Sequence, residues 1–349
     1  MALLSTRMPD LTTTAESLNS TNSSDCPDSN AWDALYSNGP FYILLITVLG
    51  IVFNLFVLMV FCLHKKACTV AEIYLSNLAA ADLLLVSCLP FWAVNFLNKF
   101  NWPFGLFLCK VVNMGIKMNV YCSIYFLVVV SIDRYVALVH TMSHGRLRRT
   151  KYAKLSVVLV WCFGFLLTIP GLVFRSIDYF PEHDVTACFL RYPSPSVGLF
   201  LDGLLVFLSF IIPMIIISFC TYKIIQALKN QPMERFNAEK TENKATVLIL
   251  VVLLAFLICW VPFHLITTVD VFLRAAEVHG CDITTALDIC NQIFTYLGFF
   301  NSVLNPILYV IVGKNFRKKI REVFRQFRQR KKAADSTRSH LSSTQKTTV

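Results

Sequence analysis

The sequence predicts an all-α membrane protein, a bundle of seven transmembrane helices followed by a short amphipathic eighth. Composition, hydropathy pattern and charge asymmetry predict it. Hydrophobic residues make up 56% of the 349 residues and charged ones only 15%, a balance foreign to soluble globular chains. Apolar runs recur along the whole chain, at 40–63, 71–97, 107–139, 153–174, 198–228, 242–273 and 284–311. Each reaches or exceeds the ~20 residues that cross a bilayer, so the longer ones must tilt or protrude. Charge is also unevenly placed about these runs. One side carries 25 of the 32 Lys/Arg, whereas the other carries 7, together with 13 of the 21 acids. Basic residues stay on the cytoplasmic side of a membrane, which orients the N-terminus outward. The net charge of +11 therefore belongs to a membrane's inner face and not to a nucleic-acid site. The outer mouth is net acidic, and such a field draws cationic ligands.

Residues 1–38 are polar and lack a continuous apolar core, so no cleavable signal is expected and the first span carries the tail outward. Asn19 and Asn22 open N-x-S/T sequons, and the stretch reads as a disordered, glycosylated extracellular tail. The seven-helix domain is placed at 39–312, with prolines inside spans at Pro90, Pro170, Pro213, Pro262 and Pro306. Each removes a backbone donor and bends its helix. Residues 109–139 would extend about 46 Å as a helix, enough to cross obliquely. The cytoplasmic connections are too short to fold as domains. Over 313–329, Phe316, Ile320, Val323, Phe324 and Phe327 recur at helical spacing with Lys and Arg between them. That pattern suits a helix lying on an anionic membrane surface. Residues 330–349 are Ser/Thr-rich, read as a disordered cytoplasmic tail with kinase sites, and end in Thr347-Thr348-Val349, a form PDZ domains capture.

Of the twelve cysteines, Cys62, Cys88, Cys122, Cys162, Cys220, Cys259 and Cys290 fall in or beside spans and read as buried thiols. Cys68 lies in the first cytoplasmic connection. Cys26, Cys109, Cys188 and Cys281 fall on the outer side, where disulfides persist. No cysteine or histidine spacing indicates a metal centre, and no nucleophile–base set for an enzyme is visible within the spans.

Three polar constellations stand out. Asp82 sits inside an apolar span, where a carboxyl is costly and marks function by default. Asn119, Ser123, Asn301, Ser302, Asn305 and Asn54 supply polar groups from other spans, an oxygen-rich set suited to a small hard cation. Asp133-Arg134-Tyr135 closes the inner end of the third span, where Arg134 can pair with Asp133 or with Glu242 at the foot of the sixth. Asp270 tops the sixth span and Asp288 opens the seventh. They read either as solvated rim charges or as a clamp for an arginine or free amine.

Cys109 twenty-five residues before Arg134, Cys259-Trp260-Val261-Pro262, and Asn305-Pro306-Ile307-Leu308-Tyr309 resemble the rhodopsin-like G-protein-coupled receptors, as do Asn54, Trp161 and Pro213. The resemblance implies disulfides Cys109–Cys188 and Cys26–Cys281. It implies an inner sodium and activation set of Asp82, Asn119, Ser123, Trp260, Asn301, Asn305 and Tyr309. It also implies that Asp133, Arg134, Tyr135 and Glu242 control G-protein coupling. One departure is Thr221, where many members place a tyrosine. Phe299 and Ile116 exclude the retinal lysine of opsins and the aspartate of biogenic-amine receptors.

HKKACTVAEIYLSNLAAADL, LPFWA, NWPFG, VSIDRYVALVHTMSHGR, KATVLILVVLLAFLICW and NPILYVIVGKNFRKK narrow the resemblance to the kinin (bradykinin) receptors, most similar to the type-2 subtype. It implies that Asp270 and Asp288 take a peptide's N-terminal arginine and amine, and that Trp92, Ile116, Arg175, Phe263, Gln292 and Phe299 line a deeper pocket. It further implies signalling mainly through Gq, phospholipase C and calcium, also through Gi, with receptor kinases and arrestin as later partners. Lys117 instead resembles type-1 receptors, which prefer kinins lacking the C-terminal arginine; Asp202 is a candidate neutralising partner, and the preference stays open. An angiotensin- or chemokine-like receptor is the nearest alternative. A transporter or channel would need inverted repeats or a ring of pore charges, and neither is present.

Overall fold

The computed structural model describes residues 30–64, 68–139, 150–181, 184–230, 240–278 and 281–329. Among them lie seven helices long and apolar enough to span a bilayer. They are α1 (Asn30–Leu63), α2 (Val70–Leu97), α3 (Gly105–Val139), α4 (Thr150–Phe174), α5 (Pro195–Lys229), α6 (Lys240–Ala275) and α7 (Cys281–Ile311). An eighth, α8, occupies 314–329. The seven-helix bundle predicted from hydropathy is therefore present, and helices are what hydrocarbon demands, since each satisfies its own backbone. Several run past the apolar windows: α1 already includes residues 30–38, and α7 starts at Cys281.

Local chemistry sets the ends. Thr69 and Glu72 form a reciprocal capping box at the start of α2. Ser194 caps α5, with Pro195 in its first turn, where a missing N–H is harmless. Within α5, residues Phe207–Ile211 form a π-turn just ahead of Pro213. The Leu208 carbonyl accepts from Tyr125 Oη at 2.6 Å, so this irregularity is tied to α3.

Large apolar side chains such as Leu45, Val52, Leu254, Ile258 and Phe272 face outward, while Asn54, Asp82, Asn119 and Asn305 are buried. That inverted distribution suits lipid outside and a polar interior. Between α4 and α5 the chain folds into a hairpin, β1 (Arg175–Phe180) against β2 (Val185–Leu190), antiparallel with Ile177 opposite Cys188. The Cys109–Cys188 disulfide fastens β2 to α3. Trp102 N donates to the Thr186 carbonyl at 2.7 Å, and Thr186 N to Asn101 Oδ1 at 3.0 Å, so the hairpin is laced to the α2–α3 turn as well.

At the opposite end α8 turns Phe316 and Val323 into the bundle and leaves Phe324 and Phe327 exposed. Lys319 pairs with Glu72 at 2.8 Å, and His64 contacts Glu322 at 2.8 Å, so α8 is clipped to α2 and to the end of α1. Asn19, Asn22, Cys26, the Cys26–Cys281 bridge, the Glu242 side chain and residues 330–349 lie outside what is described.

Candidate functional site

The hairpin end gathers the charges that the sequence distributed over four spans. Asp270 on α6 is 3% exposed and Asp202 on α5 is 4% exposed. Arg274, one turn beyond Asp270, reaches both: its Nη2 donates to Asp202 Oδ2 at 3.0 Å, and its Nε lies 2.8 Å from Asp270 Oδ2. The first contact is an aligned hydrogen bond, whereas in the second both atoms lack one and attract by charge alone. Tyr192 Oη donates to the other Asp202 oxygen at 3.0 Å. Burial, and then the Asp202 carboxylate, raise the Tyr192 phenol far above its ordinary range, so it stays a neutral donor.

Two basic side chains are buried at the same end. Arg175 at the start of β1 is 1% exposed; its Nη1 donates to the Cys188 carbonyl at 3.4 Å, while Nε and Nη2 have no hydrogen-bond partner. Burial lowers its pKa to about 10, which leaves it charged at neutral pH. Lys117 on α3 is 4% exposed. Its ammonium is turned toward α4, where a Cβ built on Gly171 would sit 3.4 Å from Nζ. Neither Lys117 nor Arg175 forms an ion pair among the described residues. Asp202, the partner considered for Lys117, is taken up by Arg274 and Tyr192.

Below the charges, Trp92, Ile116 and Phe299 share one buried cluster with Tyr296 and the disulfide, and Gln292 is buried nearby on α7. Phe263 belongs to the deeper cluster, packed edge-on against Trp260 at 5.7 Å between ring centres. Asp288, about two turns into α7, is half-buried. Three participants were missed in the sequence: Arg274, Tyr192 and His264, the last stacked on Phe210 at 4.7 Å. For Arg274 a signal existed, because Asp270 and Arg274 are spaced i,i+4 on one helix.

The middle of the bundle holds the intramembrane carboxyl. Asn119 Nδ2 donates to Asp82 Oδ1 and Asn305 Nδ2 to Asp82 Oδ2, each at 3.0 Å. Asn119 also reaches Ser123 Oγ at 3.3 Å. Asn54 Nδ2 joins α1 to the Ser302 carbonyl of α7 at 2.9 Å. The side-chain oxygens of Asn54, Asn301 and Asn305 are buried without partners, and the Asn305 amide is hydrogen-bonded to Asp82 itself; unpartnered oxygens of this kind are ligands that a small hard cation takes. Above them Trp260 packs on Gly298, where an added Cβ would lie 2.9 Å from the indole.

At the inner end Arg134 Nε donates to Asp133 Oδ2 at 2.9 Å, with a second contact from Nη2. Tyr135 packs on Phe219 of α5. Tyr222 faces outward, 65% exposed, while Thr221 Oγ1 and Tyr309 Oη are buried without partners. No tyrosine of α5 thus stands opposite Tyr309, in keeping with the departure noted at Thr221.

Residues 53–309 match the family described as 7 transmembrane receptor (rhodopsin family). Over 311 residues the chain is 50% identical to the B2 bradykinin receptor of Mus musculus, covering 88% of this chain and 79% of that one. It is 48% identical over 303 residues to the B2 bradykinin receptor of Homo sapiens, covering 86% and 78%. Against the B1 bradykinin receptor of Macaca mulatta the identity is 41% over 309 residues, covering 87% and 88%. These relatives are multi-pass receptors and not enzymes. With charge-lined mouth, intramembrane carboxyl and seven-helix frame all in place, the chain belongs to the rhodopsin family of seven-transmembrane receptors, in its bradykinin-receptor branch.

Proposed function

We propose that this receptor binds a kinin-type peptide at the hairpin end and activates a heterotrimeric G protein at the other. The observation that carries the reading is the paired charge of the mouth. Buried carboxylates stand on α5 and α6, and the buried cations Lys117 and Arg175 stand on α3 and β1. A peptide with a basic N-terminus and a free C-terminal carboxylate complements both sets. Asp270 and Asp288 then take the N-terminal arginine and amine, while Arg175, whose two spare nitrogens face no acceptor, takes the carboxylate. Trp92, Ile116, Phe263, Gln292 and Phe299 receive the apolar side chains between. Because the Lys117 ammonium is turned toward Gly171, it repels a C-terminal arginine weakly, and the full-length peptide is the preferred ligand.

Binding selects a state in which α6 moves away from α3 and bares a basic crevice beside Asp133, Arg134, Tyr135 and Glu242. Gq is the main transducer, with Gi also engaged and receptor kinases, arrestin and a PDZ domain acting on the tail. The N-terminus faces the extracellular side of the plasma membrane. Asp82, Asn119, Ser123, Asn301 and Asn305 would hold a sodium ion, which would balance the buried carboxylate and favour the resting state, with Trp260 and Tyr309 as the activation residues beside them. Replacing NaCl by an organic cation is expected to raise agonist affinity, and Asp82→Asn to abolish that effect.

Intracellular calcium in cells expressing the receptor tests the reading. A full-length kinin is expected to act at far lower dose than the same peptide lacking its C-terminal arginine. Preference for the shortened peptide would make Lys117 the selector. Silence to both, with surface expression demonstrated, would overturn the kinin assignment.

A further inference from the structure

We infer that Arg274 is a built-in competitor at the peptide site: a tethered guanidinium that occupies the acidic clamp and sets the affinity of any ligand whose own guanidinium must displace it from Asp270. This rests on the kinin reading above and deepens it. A basic residue in the last turn of a helix ordinarily just offsets the helix dipole, and Arg274 stands in the last turn of α6. Its side chain, however, is not left to solvent. It lies across two buried carboxylates on different helices, Asp202 and Asp270, in the place an incoming arginine needs.

The two contacts are unequal, and the inequality makes exchange feasible. Toward Asp202 the guanidinium donates an aligned hydrogen bond, and Tyr192 completes that carboxylate from its other oxygen. Toward Asp270 the distance is short but no hydrogen bond is aligned on either atom. Residues four apart on one helix constrain the approach, whereas a free peptide arginine can meet Asp270 with two parallel N–H groups. Arg274 can therefore surrender Asp270 while keeping Asp202. A peptide lysine or a neutral residue offers no such fork and does not repay the loss. Such ligands leave Arg274 in place, so the device lowers affinity for arginine-bearing peptides without touching the others, and it keeps two buried carboxylates from facing each other uncompensated when no peptide is present.

Competition binding on membranes from cells expressing the full chain tests this. The probes are a full-length kinin and its isostere with citrulline in place of the N-terminal arginine. In Arg274→Gln the arginine peptide is expected to gain at least fivefold in affinity, and the citrulline peptide to change less than twofold. Arg274→Lys, which keeps the charge, should stay near the wild-type ratio. Should Arg274→Gln fail to reach the surface, Asp202→Asn combined with Arg274→Gln removes the carboxylate left exposed to repulsion, and the same widened ratio is expected. An unchanged or narrowed ratio in receptors that bind both peptides would overturn the role of Arg274 alone. A wild-type receptor that binds neither peptide would overturn the kinin reading with it.

Discussion

Single residues carry the proposed recognition, and a few of them were readable as letters. Asp82 declares itself because a charge in hydrocarbon is rare, and its amide partners lie on the helices expected to face it. Asp270 was equally visible, but its engagement with Arg274 and Asp202 was not. That contact depends on how α5 and α6 are rotated against each other, which hydropathy does not encode. Lys117 is the converse case: its presence was legible, while its direction, toward Gly171, is a property of packing. Asp270→Ala is expected to cost the arginine-bearing peptide roughly tenfold or more in potency, since a charge-assisted contact contributes about 1.5–3 kcal/mol. Its citrulline analogue should barely respond, so equal losses for both would contradict a direct contact. Gly298→Ala places a methyl 2.9 Å from the Trp260 ring. Overpacking of that kind costs about 1–3 kcal/mol. The purified receptor should melt several degrees lower, and an unaltered melting temperature would show that the ring has room to move.

Elements were legible in proportion to their regularity. Seven apolar runs gave seven helices, and the five-residue apolar stripe of α8 placed Phe316 and Val323 inward, with Phe324 and Phe327 outside. The hairpin Arg175–Leu190 carried no such signal. Its strands are six residues each, with mixed burial, and what fixes them is the bond to Cys109 together with hydrogen bonds to the α2–α3 turn. The π-turn in α5 was hidden for a similar reason. Pro213 foretold a bend, yet the anchoring of the Leu208 carbonyl by Tyr125 is a contact between helices. The clips on α8 make a separate prediction. Glu72→Gln weakens the Lys319 contact and Glu322→Gln the His64 contact, both partly shielded from water. Hydrogen exchange over 314–329 should then quicken severalfold, with α3 unaffected. Exchange as slow as in the parent would show that apolar packing alone holds α8.

For the whole molecule the charge asymmetry and the inverted burial agree: apolar side chains outside, polar groups inside, and opposite charges concentrated at the hairpin end. The frame is thus a seven-helix membrane receptor with buried side chains of both charges at the hairpin end and the buried carboxyl of Asp82 beneath them. Saturation binding of a radiolabelled full-length kinin to membranes expressing the chain, beside its Asp270→Ala variant, tests this most directly. Saturable binding, weakened roughly tenfold or more in the variant, is the predicted result. Absence of saturable binding by a receptor shown to be at the cell surface, or equal binding by both proteins, would contradict it.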